Sequence, residues 1–373
     1  MRIIIAHDFT QHSFAGSSYY LAHHLAAQGH TVLFFSVRPA LPAQKNISYQ
    51  HALTVIGWPQ KRPTGLPSFL YFLHHLKKFK PNVIIAHFGA QNVTSLANFL
   101  FGNAKCVVYY HSLLSQLRQD YQASALRFKL LVFRKRLMFR LAHTICCPSQ
   151  YAAKDLMANY QIKASKVKVV YNAIDLGSEA IAPQRPPIIF GTLSRLTPTK
   201  GIMELIEAFK LYTASLDMPS SVVLKIAGGG LLETQVKLAT AECPHIEFVG
   251  ALPHSEVASY MQSLHFFVCP SLIDNLPTTC LEALRAGVPV LATATGGIPE
   301  IIADQQTGIL FTNTQPATIK DAITEAVHLF SSPNHYQQMR HRCLIHFQEK
   351  FSIESYLRNM LALLQELVSL QGQ

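Results

Sequence analysis

The sequence predicts an α/β protein of two doubly wound domains, and three observations lead there. First, short apolar runs alternate with stretches of helical periodicity, in two series. The first series is Ile3–Ile5, Thr31–Phe35, Val83–Ile85, Cys106–Tyr110, Thr144–Cys147 and Val167–Val170. The second is Ile188–Phe190, Val222–Ile226, Ile246–Val249, Phe266–Val268, Val288–Leu291 and Gly308–Leu310. Runs apolar at every position suit strands buried on both faces, the signature of parallel sheets sandwiched by helices. Second, 373 residues, 49% of them hydrophobic, are too many for one core and enough for two. Third, S-E-A-I-A-P-Q-R-P-P at 178–187 is a proline-rich break that continues neither a helix nor a central strand.

These features divide the chain into a first domain at 1–176, a linker at 177–187 and a second domain at 188–350. In the remaining segment, 351–373, Ile353, Tyr356, Leu357, Met360, Leu361, Leu363, Leu364 and Leu367 fall on one broad apolar helical face.

Charge is unevenly shared. Residues 1–180 hold 20 Lys and Arg against 5 Asp and Glu, a net +15, whereas 181–373 hold 12 against 16, a net −4. An anionic partner is expected at the first domain, either lipid headgroups or a charged glycan. Nucleic acid is not expected, because no basic–aromatic module or recognition helix is present. No run of eighteen apolar residues occurs and Arg2 leads straight into a short strand, so neither a signal peptide nor a transmembrane helix is expected. Seven cysteines without a C-x-x-C pair fit neither a disulfide framework nor a zinc site, and point to a reducing cytoplasm.

The densest functional signal is Cys269–Ile302, C-P-S-L-I-D-N-L-P-T-T-C-L-E-A-L-R-A-G-V-P-V-L-A-T-A-T-G-G-I-P-E-I-I. Asp274 and Glu282 stand eight positions apart around a turn and a helix start. A helix mouth after a strand and a loop binds anions, and carboxylates beside it accept hydrogen bonds from hydroxyls. As ordinary structure, the same two residues serve as a helix N-cap and a first-turn carboxylate. Upstream, G-T-L-S-R-L-T-P-T-K-G at 191–201 sets Arg195 and Lys200 after the first strand of the second domain. Two cations there can neutralise a diphosphate, or they are simply a solvated loop.

Together these motifs resemble retaining, sugar-nucleotide-dependent glycosyltransferases of family 4, with Asp274 where the family usually has Glu. The resemblance extends over essentially the whole chain and implies a GT-B fold, two Rossmann-like domains facing across a cleft. It also implies that the C-terminal helix crosses back to the first domain. By resemblance Arg195 and Lys200 hold the donor phosphates, Asp274 meets the transferred sugar and Glu282 the ribose. The backbone from Asn275 through Leu276, Pro277, Thr278 and Thr279 faces the β-phosphate and donor sugar. Gly228, in a Gly-Gly-Gly turn before Glu233, lies near the nucleotide, although a tight turn alone explains glycines there. Gly296, Gly297 and Glu300 read as a turn by default and, by resemblance, as part of the donor site's back wall. By the same resemblance, Gly16 in the first domain, within F-A-G-S-S-Y-Y-L, lets backbone approach a phosphate or acceptor, and His111 contacts the donor sugar, although a lone histidine is more often a surface or hydrogen-bonded residue. Asn172 and Asp175 match an interdomain N-G-V-D in which Ala173 replaces glycine; a turn explains them equally.

Residues 127–140, R-F-K-L-L-V-F-R-K-R-L-M-F-R, carry six cations along an apolar helical series. That pattern belongs either to a membrane-surface helix or to an ordinary helix packed on a sheet. The function expected is sugar transfer from a nucleotide-diphosphate donor to a glycan or lipid-linked acceptor, in cell-surface polysaccharide, lipopolysaccharide or glycolipid synthesis. The expected location is the cytoplasm, with a peripheral contact on the inner membrane face. No cofactor or metal is expected, since the family uses cationic side chains and helix dipoles and no D-x-D occurs. The alternatives are an epimerase or phosphorylase of the same fold, or a catalytically silent binding subunit. A glycoside hydrolase would also pair carboxylates, but it needs no Arg–Lys clamp.

Overall fold

The computed structural model describes residues 1–11, 16–120, 125–175, 187–216, 221–241 and 243–369. All of the expected linker except Pro187, together with Ala15 before Gly16, lies outside them. The chain forms two compact units, Met1–Ala173 with Ile353–Gln373, and Ile174–Ser352.

The first unit holds β1 (Arg2–His7), β2 (Thr31–Ser36), β3 (Leu53–Gly57), β4 (Val83–Ala86), β5 (Lys105–Tyr109), β6 (Thr144–Cys147) and β7 (Val167–Val169). They form one sheet in the order β3-β2-β1-β4-β5-β6-β7, and every pairing is parallel. The apolar runs explain themselves here. In β1, Ile3 and Ile5 pack with Leu21 and Leu25 on one face, while Ile4 and Ala6 pack with Phe72, Leu76 and Val93 on the other. Both faces of β1 are therefore dry. β3 was not among the expected strands. It is an edge strand whose first three residues are only partly buried, so its L-T-V-I-G lacks an unbroken apolar run.

The helix Ile353–Ser369 closes the first of these faces, placing Tyr356, Met360, Leu363, Leu364 and Leu367 in the same core as Ile5 and Phe34. Its Tyr356 hydroxyl lies 3.1 Å from that of Tyr109, and Lys168 bridges to Glu366 at 2.8 Å.

The second unit repeats the scheme with β8 (Ile188–Leu193), β9 (Val222–Ala227), β10 (Ile246–Gly250), β11 (Phe266–Cys269), β12 (Val290–Thr293) and β13 (Gly308–Phe311). Their order is β10-β9-β8-β11-β12-β13, again all parallel. Chain order reverses direction beside the first strand in both sheets, between β1 and β4 and between β8 and β11. Open α/β sheets bind ligands outside the carboxyl ends of strands at such a reversal.

Candidate functional site

At the β8–β11 reversal, two loops are locked together by backbone. The turn Pro198–Lys200 ends at Gly201, whose φ of 65° is left-handed and whose Cβ position lies 2.0 Å from the Pro270 carbonyl oxygen. Only glycine permits that approach. The Leu272 amide donates to the Thr199 carbonyl at 2.9 Å. This lock carries the Lys200 ammonium onto the Asp274 carboxylate, and both side chains are largely buried, 16% and 12% exposed. Asp274 is held further by the Asn275 amide, which donates to Oδ1 at 2.9 Å, and by the Gly297 amide, which donates to its carbonyl at 3.0 Å. A Cβ on Gly296 would lie 1.8 Å from that same carbonyl oxygen.

Asn275, Leu276 and Pro277 are buried, and the helix Thr278–Arg285 then opens with no side-chain cap. The Cys280 amide turns back to the Pro277 carbonyl at 3.1 Å, while the helix dipole favours an anion at the amides before it. A crevice of about 20 Å³, room for one water, is lined by Lys200, Asp274, Ser271, Pro277 and Thr279. Glu282 lies one turn along the helix, and burial pushes its carboxyl up to about 7 against a lowering pull from Arg285. Arg195 is exposed and makes no ion pair among the described residues. Gly228 has a backbone reason of its own, because its Cβ position lies 1.9 Å from the Ser194 carbonyl oxygen. It lets the turn after β9 press against the loop bearing Arg195.

The β1–β4 reversal gathers three imidazoles. His7 ends β1, His87 follows β4 and His111 stands two residues beyond β5. His7 Nδ1 lies 2.9 Å from the Ser18 hydroxyl, and His87 Nδ1 lies 2.9 Å from His111 Nε2. His7 stacks on His87 at 3.9 Å and 13°, and His87 on Tyr109 at 4.1 Å and 17°. Burial, more than any neighbour, holds all three neutral. His7 and His87 lie well below the usual imidazole range, and His111 falls to about 3 with Lys135 adding to the effect.

One nitrogen from each imidazole lies within 4.8 Å of the others, a spacing from which a metal could be held. The charges acting on the cluster are cationic, however, Arg38 on His7 and Lys135 on His111. Positive surroundings and neutral imidazoles suit an anion or a hydroxyl better than a cation. Phe88 stacks on His111 at 4.2 Å and 14°, with a φ of 47°. Lys80 and Gln161 take left-handed backbone as helix C-caps, but Phe88 takes it at a strand end while 44% exposed. That conformation costs a bulky residue roughly 1–2 kcal/mol, and such strain concentrates at functional positions. Gly16 opens the helix Gly16–Ala27, with its Cβ position 2.6 Å from the Gln11 carbonyl oxygen.

The Glycosyl transferases group 1 family model matches residues 177–342, and the Glycosyltransferase Family 4 model matches 17–178. The chain belongs to the family 4, group 1 glycosyltransferases. Among characterised members, it is 29% identical over 278 residues to a sulfoquinovosyl transferase of Arabidopsis thaliana, covering 71% of this chain and 53% of that one. It is 30% identical over 151 residues to a GDP-mannose-dependent phosphatidylinositol monomannoside mannosyltransferase of Mycobacterium tuberculosis, covering 38% of each chain. The matched region thus takes in about half, or less, of these curated relatives' own length. Among solved structures, a Rickettsia africae glycosyltransferase superposes with a TM-score of 0.75 at 17% identity, covering 98% of both chains. An Anabaena protein in complex with UDP gives 0.73 at 17%, covering 98% of this chain and 100% of that one. These neighbours establish the two-domain GT-B fold.

Of the residues singled out in the second unit, Lys200, Asp274, Pro277 and Thr279 line one crevice, whereas Arg195, Gly228 and Glu282 are not in its lining. Lys200 and Asp274, read separately in the sequence, are a single ion pair. His111 is not a lone histidine. His7 and His87 were missed, although I-I-I-A-H, V-I-I-A-H and V-V-Y-Y-H end three strands that are neighbours in one sheet. Lys135, counted on the basic face of its helix, is turned inward, and burial lowers its ammonium to about 8 with Arg134 adding to the effect.

Proposed function

We propose that the chain transfers a sugar, with retention of configuration, from a nucleoside-diphosphate donor to a glycan or lipid-linked acceptor. The observation that carries this reading is the β8–β11 crevice walled by Lys200, Asp274 and the N-terminus of Thr278–Arg285. Lys200, Arg195 and the helix amides stabilise charge that grows on the diphosphate as the anomeric C–O bond breaks. The acceptor hydroxyl bonds to that carbon on the same face and gives its proton to a leaving phosphate oxygen. Asp274 orients the sugar hydroxyls, and Glu282 accepts from the ribose. No metal is required in this scheme, because cations and amides supply the positive field.

A ribose that donates hydrogen bonds prefers the ionised Glu282 carboxylate. Affinity for a nucleoside-diphosphate sugar is therefore expected to rise as pH passes upward through about 7. The raised folded-state value also means that ionised Glu282 costs stability above that pH, up to about 3 kcal/mol. Glu282→Gln is expected to raise the unfolding midpoint at pH 8 while weakening donor binding in calorimetry. The reading fails if no nucleoside-diphosphate sugar stabilises the parent protein or is turned over to free nucleoside diphosphate.

A lipid-linked acceptor is supported by the helix Ala125–Leu141, which buries only Met138 and Phe139. Leu126, Leu130, Phe133 and Leu137 stay exposed at helical spacing, and Phe99, Leu100 and Phe101 are exposed on the helix Ala90–Phe101, which contacts it. Lys129, Arg134 and Arg140 are exposed on the same helix. Apolar side chains flanked by cations fit a peripheral contact with an anionic bilayer, where each cation contributes on the order of 1 kcal/mol. The protein is expected to co-sediment with anionic vesicles at low salt and to leave them as salt rises. Leu130→Glu with Phe133→Glu should abolish sedimentation without unfolding. Equal sedimentation of parent and variant would sink the membrane contact.

A further inference from the structure

A cavity of about 650 Å³ opens over the carboxyl ends of β1, β2 and β4, with Arg38, Lys61, Arg62, His7, His87 and Phe88 in its lining. That size suits a saccharide of one or two rings. The one acid in the lining is Asp8, and Arg38 already meets its Oδ2 through Nε at 2.9 Å and Nη2 at 2.7 Å. Lys61 and Arg62 have no ion-pair partner among the described residues. The cavity thus holds two surplus positive charges beside neutral imidazoles and an aromatic ring. Two cations match the charge of one phosphate. A sugar's apolar face suits the exposed Phe88 ring, whose orientation is set by left-handed backbone and by its stack on His111.

We propose that this cavity holds the acceptor, and that the acceptor presents a phosphate to Lys61 and Arg62 while its sugar lies on Phe88. The proposal rests on the glycosyl-transfer reading and narrows it to phosphate-bearing acceptors. The same chemistry arises in a soluble sugar phosphate and in a sugar carried on a lipid phosphate.

Calorimetry on the full chain with three probes tests it: a hexose, its 1-phosphate, and the same hexose on an alkyl diphosphate. The 1-phosphate is expected to bind at least 10-fold more tightly than the hexose. Lys61→Gln with Arg62→Gln should erase that difference while leaving nucleoside-diphosphate binding unchanged. Phe88→Gly, which suits the backbone at that position, should weaken hexose and hexose 1-phosphate by the same factor. Tighter binding of the alkyl form supports the site with a lipid-carried acceptor, and equal binding of the two phosphates supports it with a soluble one. Equal affinity for hexose and hexose 1-phosphate, or a preference that survives in the double variant, overturns the proposal. Loss of nucleotide binding in the parent would instead strike at the donor reading alone.

Discussion

Lys200→Ala is expected to cost about 3–5 kcal/mol of stability as well as most of the turnover. Lys200 and Asp274 are both largely buried, and each is the other's ion-pair partner. Truncating the lysine leaves the carboxylate in low dielectric with, among the described residues, the Asn275 amide at Oδ1 to hold it. Removing one preorganised positive group at a developing charge lowers rates by about 10²–10³. Two further variants separate these effects. Arg195→Ala, at an exposed position with no ion pair among the described residues, should show the rate loss with an unchanged unfolding midpoint. Lys200→Met with Asp274→Asn should recover most of the stability and none of the turnover. Denaturant titration paired with nucleoside-diphosphate release measures both. A Lys200→Ala protein as stable as its parent would show that the pair is not structural.

Acidification should destabilise the first unit steeply. His7, His87 and His111 are held neutral when folded, all below the ordinary imidazole value. Once unfolded they protonate near pH 6.5, so the unfolded chain binds more protons as pH falls below that point. Stability is therefore complete above pH 6.5 and drains away on the acid side, continuing towards about 3 for His111. Each histidine contributes a slope of about 1.4 kcal/mol per pH unit, so three together give roughly 4. Arg38 and Lys135 act on the cluster in the same direction. Urea unfolding at pH 7, 6 and 5 should show at least this slope, since burial also lowers His75 in the same unit to about 4, and His87→Gln should reduce it by about a quarter. A flat profile would mean that the imidazoles take up protons in place.

Both doubly wound sheets were legible because strands buried on two faces must be apolar at every position. β3 escaped for the converse reason, since an edge strand only partly buried along Leu53–Val55 need not be. In the second unit, sequence proximity helped. Asp274 and Glu282 share one turn and helix, and Lys200 follows β8 within a few residues. What sequence could not supply was contact: that Lys200 meets Asp274 follows from the close backbone approach at Gly201. The three histidines are spread over a hundred residues and come together only through strand order. The identical A-H endings of β1 and β4, which run side by side, were the available clue. The left-handed backbone of Phe88 leaves no trace in residue type, since nothing about phenylalanine announces it.

The helix Ile353–Ser369 makes the first unit discontinuous in the chain. Ile5, Phe34 and Tyr109 lie under residues that follow the whole second unit in the chain, so synthesis finishes the second unit's sequence before the first can cover its own sheet. Until residue 369 leaves the ribosome, that face is an apolar surface of the kind chaperones shield. The first unit thus completes its core only after the whole of the second unit's sequence has been made.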